Sequence, residues 1–143
     1  MYTDDRTYFS DGQAITASAA STNKIALTTP SDLGKLRKGV INIVVTETFD
    51  DTGDNSTAVV TLRTDDNEAF GSAATIATLF TITNGLAAGT EFNFELPYAN
   101  SVPYQDYIDL YFTVANGDFS QGKITARIVF DAEIATFTAQ GLA

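Results

Sequence analysis

The chain of 143 residues contains no histidine, no cysteine and no tryptophan. Without histidine it lacks the commonest general base, and without cysteine it lacks a thiol nucleophile, any disulfide and the best ligands for zinc, iron and copper. Serine and threonine are plentiful, but no histidine is present to activate them. We therefore expect no enzymatic activity, no catalytic residue, no metal and no cofactor, and we expect a protein that binds, covers or scaffolds.

Basic side chains are also scarce. Eight lysines and arginines stand against eighteen aspartates and glutamates, which gives a formal net charge of −10. Such a surface repels the phosphates of nucleic acids and the headgroups of anionic membranes. The charge therefore argues against a nucleic-acid or membrane partner, and it suits a basic protein partner or a hard cation.

Targeting and spanning segments are not visible either. The first residues, Met-Tyr-Thr-Asp-Asp-Arg, show no basic region followed by an apolar one, so we expect no signal peptide. No apolar run approaches the roughly 20 residues that a membrane-spanning helix needs. We therefore expect a protein that is made in a cytoplasm. The length and the 44% hydrophobic content favour one folded domain.

The apolar residues that are present follow the two-residue period of β-strands. Strong patterns cover residues 40–48, 57–63, 75–83, 91–96, 107–114 and 124–130, and weaker ones cover 14–17 and 24–28. Asn-Gly and Asp-rich turns separate them. About eight strands at this spacing predict an all-β, antiparallel sandwich or barrel. The expected core consists of Ile43, Val45, Val60, Leu62, Phe92, Phe94, Leu110, Phe112, Ile128 and Phe130.

Two acidic loops have competing interpretations. The first holds Asp50, Asp51, Asp54 and Asn55, which are donors that calcium accepts, but these are also ordinary turn residues and the spacing is not that of an EF-hand. The second, residues 65–68, pairs carboxylates as a glycosidase does, although no tryptophan lines a cleft. We favour turns in both loops, and for the second we expect Asp65 or Asn67 to cap backbone N–H groups and Phe70 to anchor the loop in the core.

Two further groups are candidate contact residues. Lys35, Arg37 and Lys38 place three of the eight basic residues within four positions, which is typical of a contact with an acidic neighbour and equally of a solvated loop. Tyr104, Tyr107 and Tyr111 belong to a tyrosine-rich stretch, and exposed tyrosines often mark interfaces. The period of two places Tyr107, Asp109 and Tyr111 on the face opposite the apolar one.

The N-terminal segment, residues 2–13, mixes aromatic and charged side chains before the regular pattern begins. Tyr2, Arg6, Tyr8 and Phe9 are its candidate contact residues. Terminal segments stay disordered unless something holds them. We therefore expect this segment to be an arm or edge strand that contacts a neighbouring subunit.

Three stretches, in this order and spacing, resemble the capsid cement (decoration) protein family of tailed phages typified by a Bordetella phage. The first is Tyr8-Phe9-Ser10-Asp11-Gly12-Gln13-Ala14-Ile15-Thr16, continuing through Leu27. The second is Leu62-Arg63-Thr64-Asp65-Asp66-Asn67, followed by Phe70 and Ala74-Thr75. The third runs from Tyr107-Ile108 through Tyr111-Phe112-Thr113-Val114, Gly117, Phe119 and Gly122-Lys123-Ile124-Thr125-Ala126 to Asp131. The resemblance covers nearly the whole chain.

This resemblance implies a jelly-roll β-sandwich that oligomerises on the outside of the phage head and clamps neighbouring major capsid protein subunits. We accordingly divide the chain into an arm (1–13), a jelly-roll domain (14–131) and a tail (132–143). The expected partners are the major capsid protein and further copies of the chain, a dimer more than a trimer. The expected location is the capsid exterior of a virion assembled in the host cytoplasm, because packaged DNA would repel an acidic protein.

Two other functions remain open from the sequence. One is a carbohydrate- or receptor-binding β-sandwich module of a phage or host surface, in which tyrosines would take the place of the missing tryptophan. The other is a calcium-dependent adhesion module, which would use the acidic loops.

Overall fold

The computed structural model describes residues 8–27, 39–53, 55–97 and 104–130, and these residues form strands and turns only. The strands are β1 (Tyr8–Ala14), β2 (Ala19–Ala20), β3 (Ile25–Ala26), β4 (Gly39–Asp50), β5 (Thr57–Asp65), β6 (Ala74–Thr83), β7 (Glu91–Glu95), β8 (Tyr107–Ala115) and β9 (Gln121–Phe130). Within these ranges no helix is long and apolar enough to cross a membrane.

The strands form two antiparallel sheets. The four-stranded sheet has the order β1-β9-β4-β7, and the five-stranded sheet has the order β2-β8-β5-β6, with β3 also paired to β8. Buried side chains of both sheets, from Phe9 on β1 to Phe112 on β8, belong to one hydrophobic core. The prediction of an all-β, antiparallel sandwich is confirmed.

The pairing is nested along the chain. β1 pairs with β9, β2 and β3 pair with β8, β4 pairs with β7, and β5 pairs with β6. The first half of the chain therefore lies against the second half like one long hairpin. Contacts between β4 and β9 and between β5 and β8 then assemble the folded hairpin into its two sheets.

The core follows the two-residue period that the sequence shows. On β5 the buried side chains are Ala58, Val60 and Leu62, and on β8 they include Ile108, Leu110 and Phe112. Of the ten predicted core residues, the fully buried ones are Ile43, Val45, Val60, Leu62, Leu110, Phe112 and Ile128. Phe92 and Phe94 are only partly buried against this core. The side chain of Phe130 lies outside the described part of the chain.

One glycine is required by a close approach. Gly122 has φ +146, and a Cβ atom at this position would overlap the ring of Phe49. That ring packs edge to face on Phe119 with centroids 5.1 Å apart. Gly122 thus lets the start of β9 pass directly over a buried aromatic pair.

The N-terminal segment was predicted to be an arm or an edge strand, and its residues 8–13 form an edge strand. They belong to β1, which lies at the edge of the four-stranded sheet, pairs with β9 and buries Phe9 completely. These residues are therefore part of the sandwich, although the division at residue 13 placed them outside it. The weak pattern at residues 14–17 is not a strand beyond Ala14, and β2 begins later, at Ala19. The ends of β1 and β2 depend on their hydrogen bonds to β9 and β8. The local apolar pattern carries no information about these distant partners. Residues 1–7 and the tail from 132 onward lie outside the described residues.

Candidate interaction surface

Parts of the second and third stretches that carry the resemblance meet on the outer face of the five-stranded sheet. β5 and β8 are neighbours there, and Arg63 lies opposite Asp109, Asp65 opposite Tyr107 and Thr61 opposite Tyr111. Alternate residues of both strands face the core, so these residues share the outer face. The loop 66–73, which follows β5, lies beside the same rows. We refer to this group of residues as the Arg63 cluster.

An ion pair lies at the centre of the Arg63 cluster. The Arg63 guanidinium donates from Nε to Asp109 Oδ1 at 2.9 Å and from Nη2 to Oδ2 at 2.6 Å. The Asp109 side chain is 0% exposed, and Lys24 Nζ lies 4.0 Å from its Oδ2. Burial raises the pKa of Asp109, whereas the hydrogen bonds and charge of Arg63 act to lower it.

Aromatic rings cover this ion pair. The Arg63 guanidinium carbon lies 4.4 Å from the ring centroid of Tyr111 and 5.2 Å from that of Phe70. Such distances give a cation–π attraction. The sequence predicted that Asp109 lies on the face opposite the apolar one, and it does. Its side chain is nevertheless buried, because Arg63 pairs with it on that face. Arg63 covers one face of the Tyr111 ring.

The loop after β5 is held by its own acidic and amide side chains. Asp65 accepts hydrogen bonds from the backbone N–H groups of Ser72 at 2.9 Å and Asn67 at 3.2 Å. The Asn67 side chain in turn accepts from Ala69 N at 2.8 Å. The hydrogen bond from Ser72 is the main cause of the lowered pKa of Asp65. Asp65 in turn raises the pKa of its neighbour Asp66. The capped turn predicted from the sequence is therefore present.

Phe70 does not occupy the place that the sequence predicted. It is half-buried over Arg63 on the outside of the sheet and is not a member of the core. Its backbone has φ +54, an uncommon value for a residue with a Cβ atom. A hydrogen bond from Phe70 N to Asn67 O at 3.0 Å closes the tight turn that holds it there.

The first acidic loop is also a turn. Asp51 is 6% exposed, and its oxygens accept hydrogen bonds from three backbone N–H groups at 3.0–3.1 Å, those of Gly53, Asn55 and Ser56. These bonds, with that of Gly53 the largest cause, lower the pKa of Asp51 to about 2. No group of three or more acidic side chains that could hold a metal occurs in the described ranges, which omit Asp54.

Two predicted contact residues lie inside the protein. Phe9 is 0% exposed, and Tyr104 is 5% exposed with its hydroxyl donating to Pro97 O at 2.8 Å. Burial raises the pKa of Tyr104. Neither ring presents a surface to another subunit, because β1 and the segment before β8 fold against this chain's own core.

The other predicted contact residues fall into two groups. Three are partly exposed: Tyr8, Tyr107 and Tyr111. Tyr107 and Tyr111 share the Arg63 cluster, whereas Tyr8 lies on the other sheet opposite Arg127. The remaining ones lie outside the described residues: Tyr2, Arg6, Lys35, Arg37 and Lys38.

The sequence missed a second surface, along the side of the sandwich where β6 and β7 end the two sheets. Phe80 of β6 contacts Phe92 and Phe94 of β7, with ring centroids 4.4 and 5.4 Å apart. All three rings are partly exposed, as are Ile76 and Leu79 of β6. The signal was available, because threonines at every third position of β6 do not fit a regular strand.

The protein is an antiparallel β-sandwich. Its buried carboxylates accept hydrogen bonds from backbone N–H groups and from Arg63 of the same chain. A family model named Bbp16 matches residues 9–128, and the chain belongs to the Bbp16 family. The name corresponds to the Bordetella phage protein family that the resemblance indicated. No curated protein matches the chain.

Proposed function

We propose that this chain is a non-enzymatic capsid cement (decoration) protein, which binds the outer surface of a phage head and bridges neighbouring major capsid protein subunits. The observation that carries the proposal is the Bbp16 family match, which runs from β1 into β9 and so covers the whole sandwich. The protein is a homo-oligomer on the shell, a dimer rather than a trimer, and it assembles there in the host cytoplasm.

The topology supports this proposal. With β2 and β3 counted as two parts of one interrupted strand, eight strands form four nested pairs, and successive pairs alternate between the two sheets. We infer that this is a jelly roll, the double-sheet arrangement found in capsid proteins.

The state of the acidic side chains favours a structural role. Within the described ranges the buried carboxylates are those of Asp51, Asp65 and Asp109. Each is engaged by backbone N–H groups or by Arg63, as described above, so these groups stabilise loops and a sheet face. A net charge of −10 also suits a position outside the head, because DNA inside it repels acidic proteins.

The outer face of the five-stranded sheet is the surface we assign to the capsid. Tyr107 is partly exposed there, at the edge of the Arg63 cluster, and tyrosines are enriched at interfaces. Next to the cluster this face carries the uncharged Val59 on β5 and Thr113 on β8, so this part of the face adds no charge to the contact.

The test compares density maps of heads assembled with and without the protein. We expect additional density over the joints between major capsid subunits, on the outer surface only, in heads that contain it. In a binding assay with undecorated heads, Tyr107→Ala should weaken attachment at least about fivefold. The control, Thr125→Ala, changes the outer face of the other sheet and should leave attachment unchanged. Density on the inner wall, or heads that bind no protein, would contradict the proposal.

A further inference from the structure

In the described part of the chain the two sheets have four edges, and three of these are protected against pairing with another chain. β7 carries the exposed Glu91 and Glu95, and β2 and β3 have two residues each. β1 carries Asp11 and is interrupted by register shifts near Gly12, which has φ +64. Charges, short strands and irregularities are the usual means of preventing edge-to-edge contact.

The remaining edge strand, β6, is long and neutral. Its ten residues, Ala74–Thr83, include no charged residue, proline or glycine. In a chain with a net charge of −10, two copies meet with least repulsion along such an edge. The adjoining rings of Phe80, Phe92 and Phe94 make the same side of the sandwich apolar.

The exposure pattern of β6 is symmetric about Thr78. Three exposed threonines, Thr75, Thr78 and Thr81, alternate with the half-buried pairs Ile76-Ala77 and Leu79-Phe80. The pattern arises because Ile76 and Leu79 have no partner on β5, where the register shifts twice. Read in either direction from Thr78, the strand presents two apolar side chains and then a threonine.

We propose that two copies of this chain associate through β6, antiparallel, across a two-fold axis at Thr78. In this arrangement Thr78 faces the partner's Thr78, Thr75 faces Thr81, and Ile76 faces Phe80, so that like meets like at every position. A two-fold contact requires such self-complementarity. The two irregularities, at Ile76 and Leu79, limit backbone pairing to the positions around the three threonines. Packing of the apolar side chains between them adds to the contact, and the phenylalanines extend it on both sides of the axis.

This inference rests on the homo-oligomer part of the proposed function and specifies its surface. It is tested on the purified full chain in solution, without capsids. If the inference about β6 fails, the proposed attachment to phage heads is unaffected. That attachment is tested separately by the head-binding experiment.

Cysteine cross-linking locates the axis, because the chain has no cysteine of its own. Opposite residues of antiparallel strands have Cα atoms about 4.5–5.5 Å apart, within reach of a disulfide. Thr78→Cys alone should therefore form a covalent dimer on mild oxidation. Thr75→Cys and Thr81→Cys should each fail alone, since the two copies of either residue lie roughly 20 Å apart, and should cross-link when mixed. Thr113→Cys, exposed on the same face but on β8, is the control.

Charge substitutions give an independent measurement by analytical ultracentrifugation. Thr78→Lys should weaken the dimer at least about tenfold, because it places two like charges at the axis. An equimolar mixture with Thr78→Glu should restore it, and Thr113→Lys should have no effect. The inference is overturned if Thr78→Cys cross-links no better than Thr113→Cys, if Thr75→Cys cross-links alone, or if the unmodified chain is monomeric at millimolar concentration.

Discussion

Removal of the Arg63 guanidinium should strongly destabilise the fold. Arg63→Ala leaves the Asp109 carboxylate, which is 0% exposed, without its two hydrogen bonds. Loss of one partner from a buried ion pair costs about 3–5 kcal/mol, because the other charge remains uncompensated. We expect about 3 kcal/mol at pH 7, the lower end of this range, because Lys24 lies 4.0 Å from Asp109 and supplies part of the missing charge.

The pH dependence identifies the cause of this loss. Burial raises the pKa of Asp109 and Arg63 opposes that rise, so the variant should raise it further. A carboxyl group whose pKa is raised in the folded state does not lower the free energy of unfolding while it is protonated. The free energy of unfolding falls as pH rises through that pKa. The stability deficit of Arg63→Ala should therefore be larger at neutral pH than near pH 4. Other acidic groups titrate in both proteins and cancel in the difference.

Urea denaturation of both proteins, from pH 4 to pH 8, measures this deficit. Arg127→Ala, which removes an arginine from the outer face of the other sheet, is the matched control and should change stability by less than about 0.5 kcal/mol. Asp109→Ala combined with Arg63→Ala should be less damaging than the two single changes added together. A deficit below about 1 kcal/mol, or one that does not change with pH, would refute the assignment of Arg63 and Asp109 as a stabilising buried pair.

Two further changes test the turns and the close approach. Gly122→Ala should lower the free energy of unfolding by about 1–3 kcal/mol, measured by thermal denaturation, because the added Cβ overlaps the Phe49 ring. The control, Gly71→Ala, should be nearly neutral, because its Cβ meets nothing within 4 Å. Equal effects of the two changes would contradict the close approach. The lowered pKa of Asp51 contributes stability that is present above about pH 4 and is lost as pH falls towards about 2. Asp51→Asn should therefore reduce the acid sensitivity measured by circular dichroism, and an unchanged acid transition would argue against the turn's role.

Local patterns predicted the parts of this structure that local interactions determine. The alternation on β5 and β8 was sufficient to identify Val60, Leu62, Leu110 and Phe112 as core residues. The turn at Asp65 was also predictable, because an aspartate caps N–H groups only a few residues away. These features need no knowledge of which strands are neighbours.

Features that depend on pairing between distant strands could not be predicted in this way. Arg63 and Asp109 are 46 residues apart, and only the register of β5 against β8 brings them together. The burial of Phe9 depends likewise on the pairing of β1 with β9. The edge at Ile76 and Leu79 is a different case, because β6 pairs with β5, its neighbour in sequence. The threonines at positions 75, 78 and 81 indicated the irregular pairing that leaves these two side chains partly exposed.

The nested pairing also determines when the protein can fold during its synthesis. β9 lies between β1 and β4 in the four-stranded sheet, so that sheet lacks its central strand until the ribosome has released residues 121–130. Among the described strands, only the β5–β6 hairpin joins neighbours in sequence, and it can form early. β4 can pair with β7 once residues 91–95 have been released, whereas the one described partner of β1 is β9. β1 therefore stays unpaired until late in translation, and the net negative charge of the chain opposes aggregation until then.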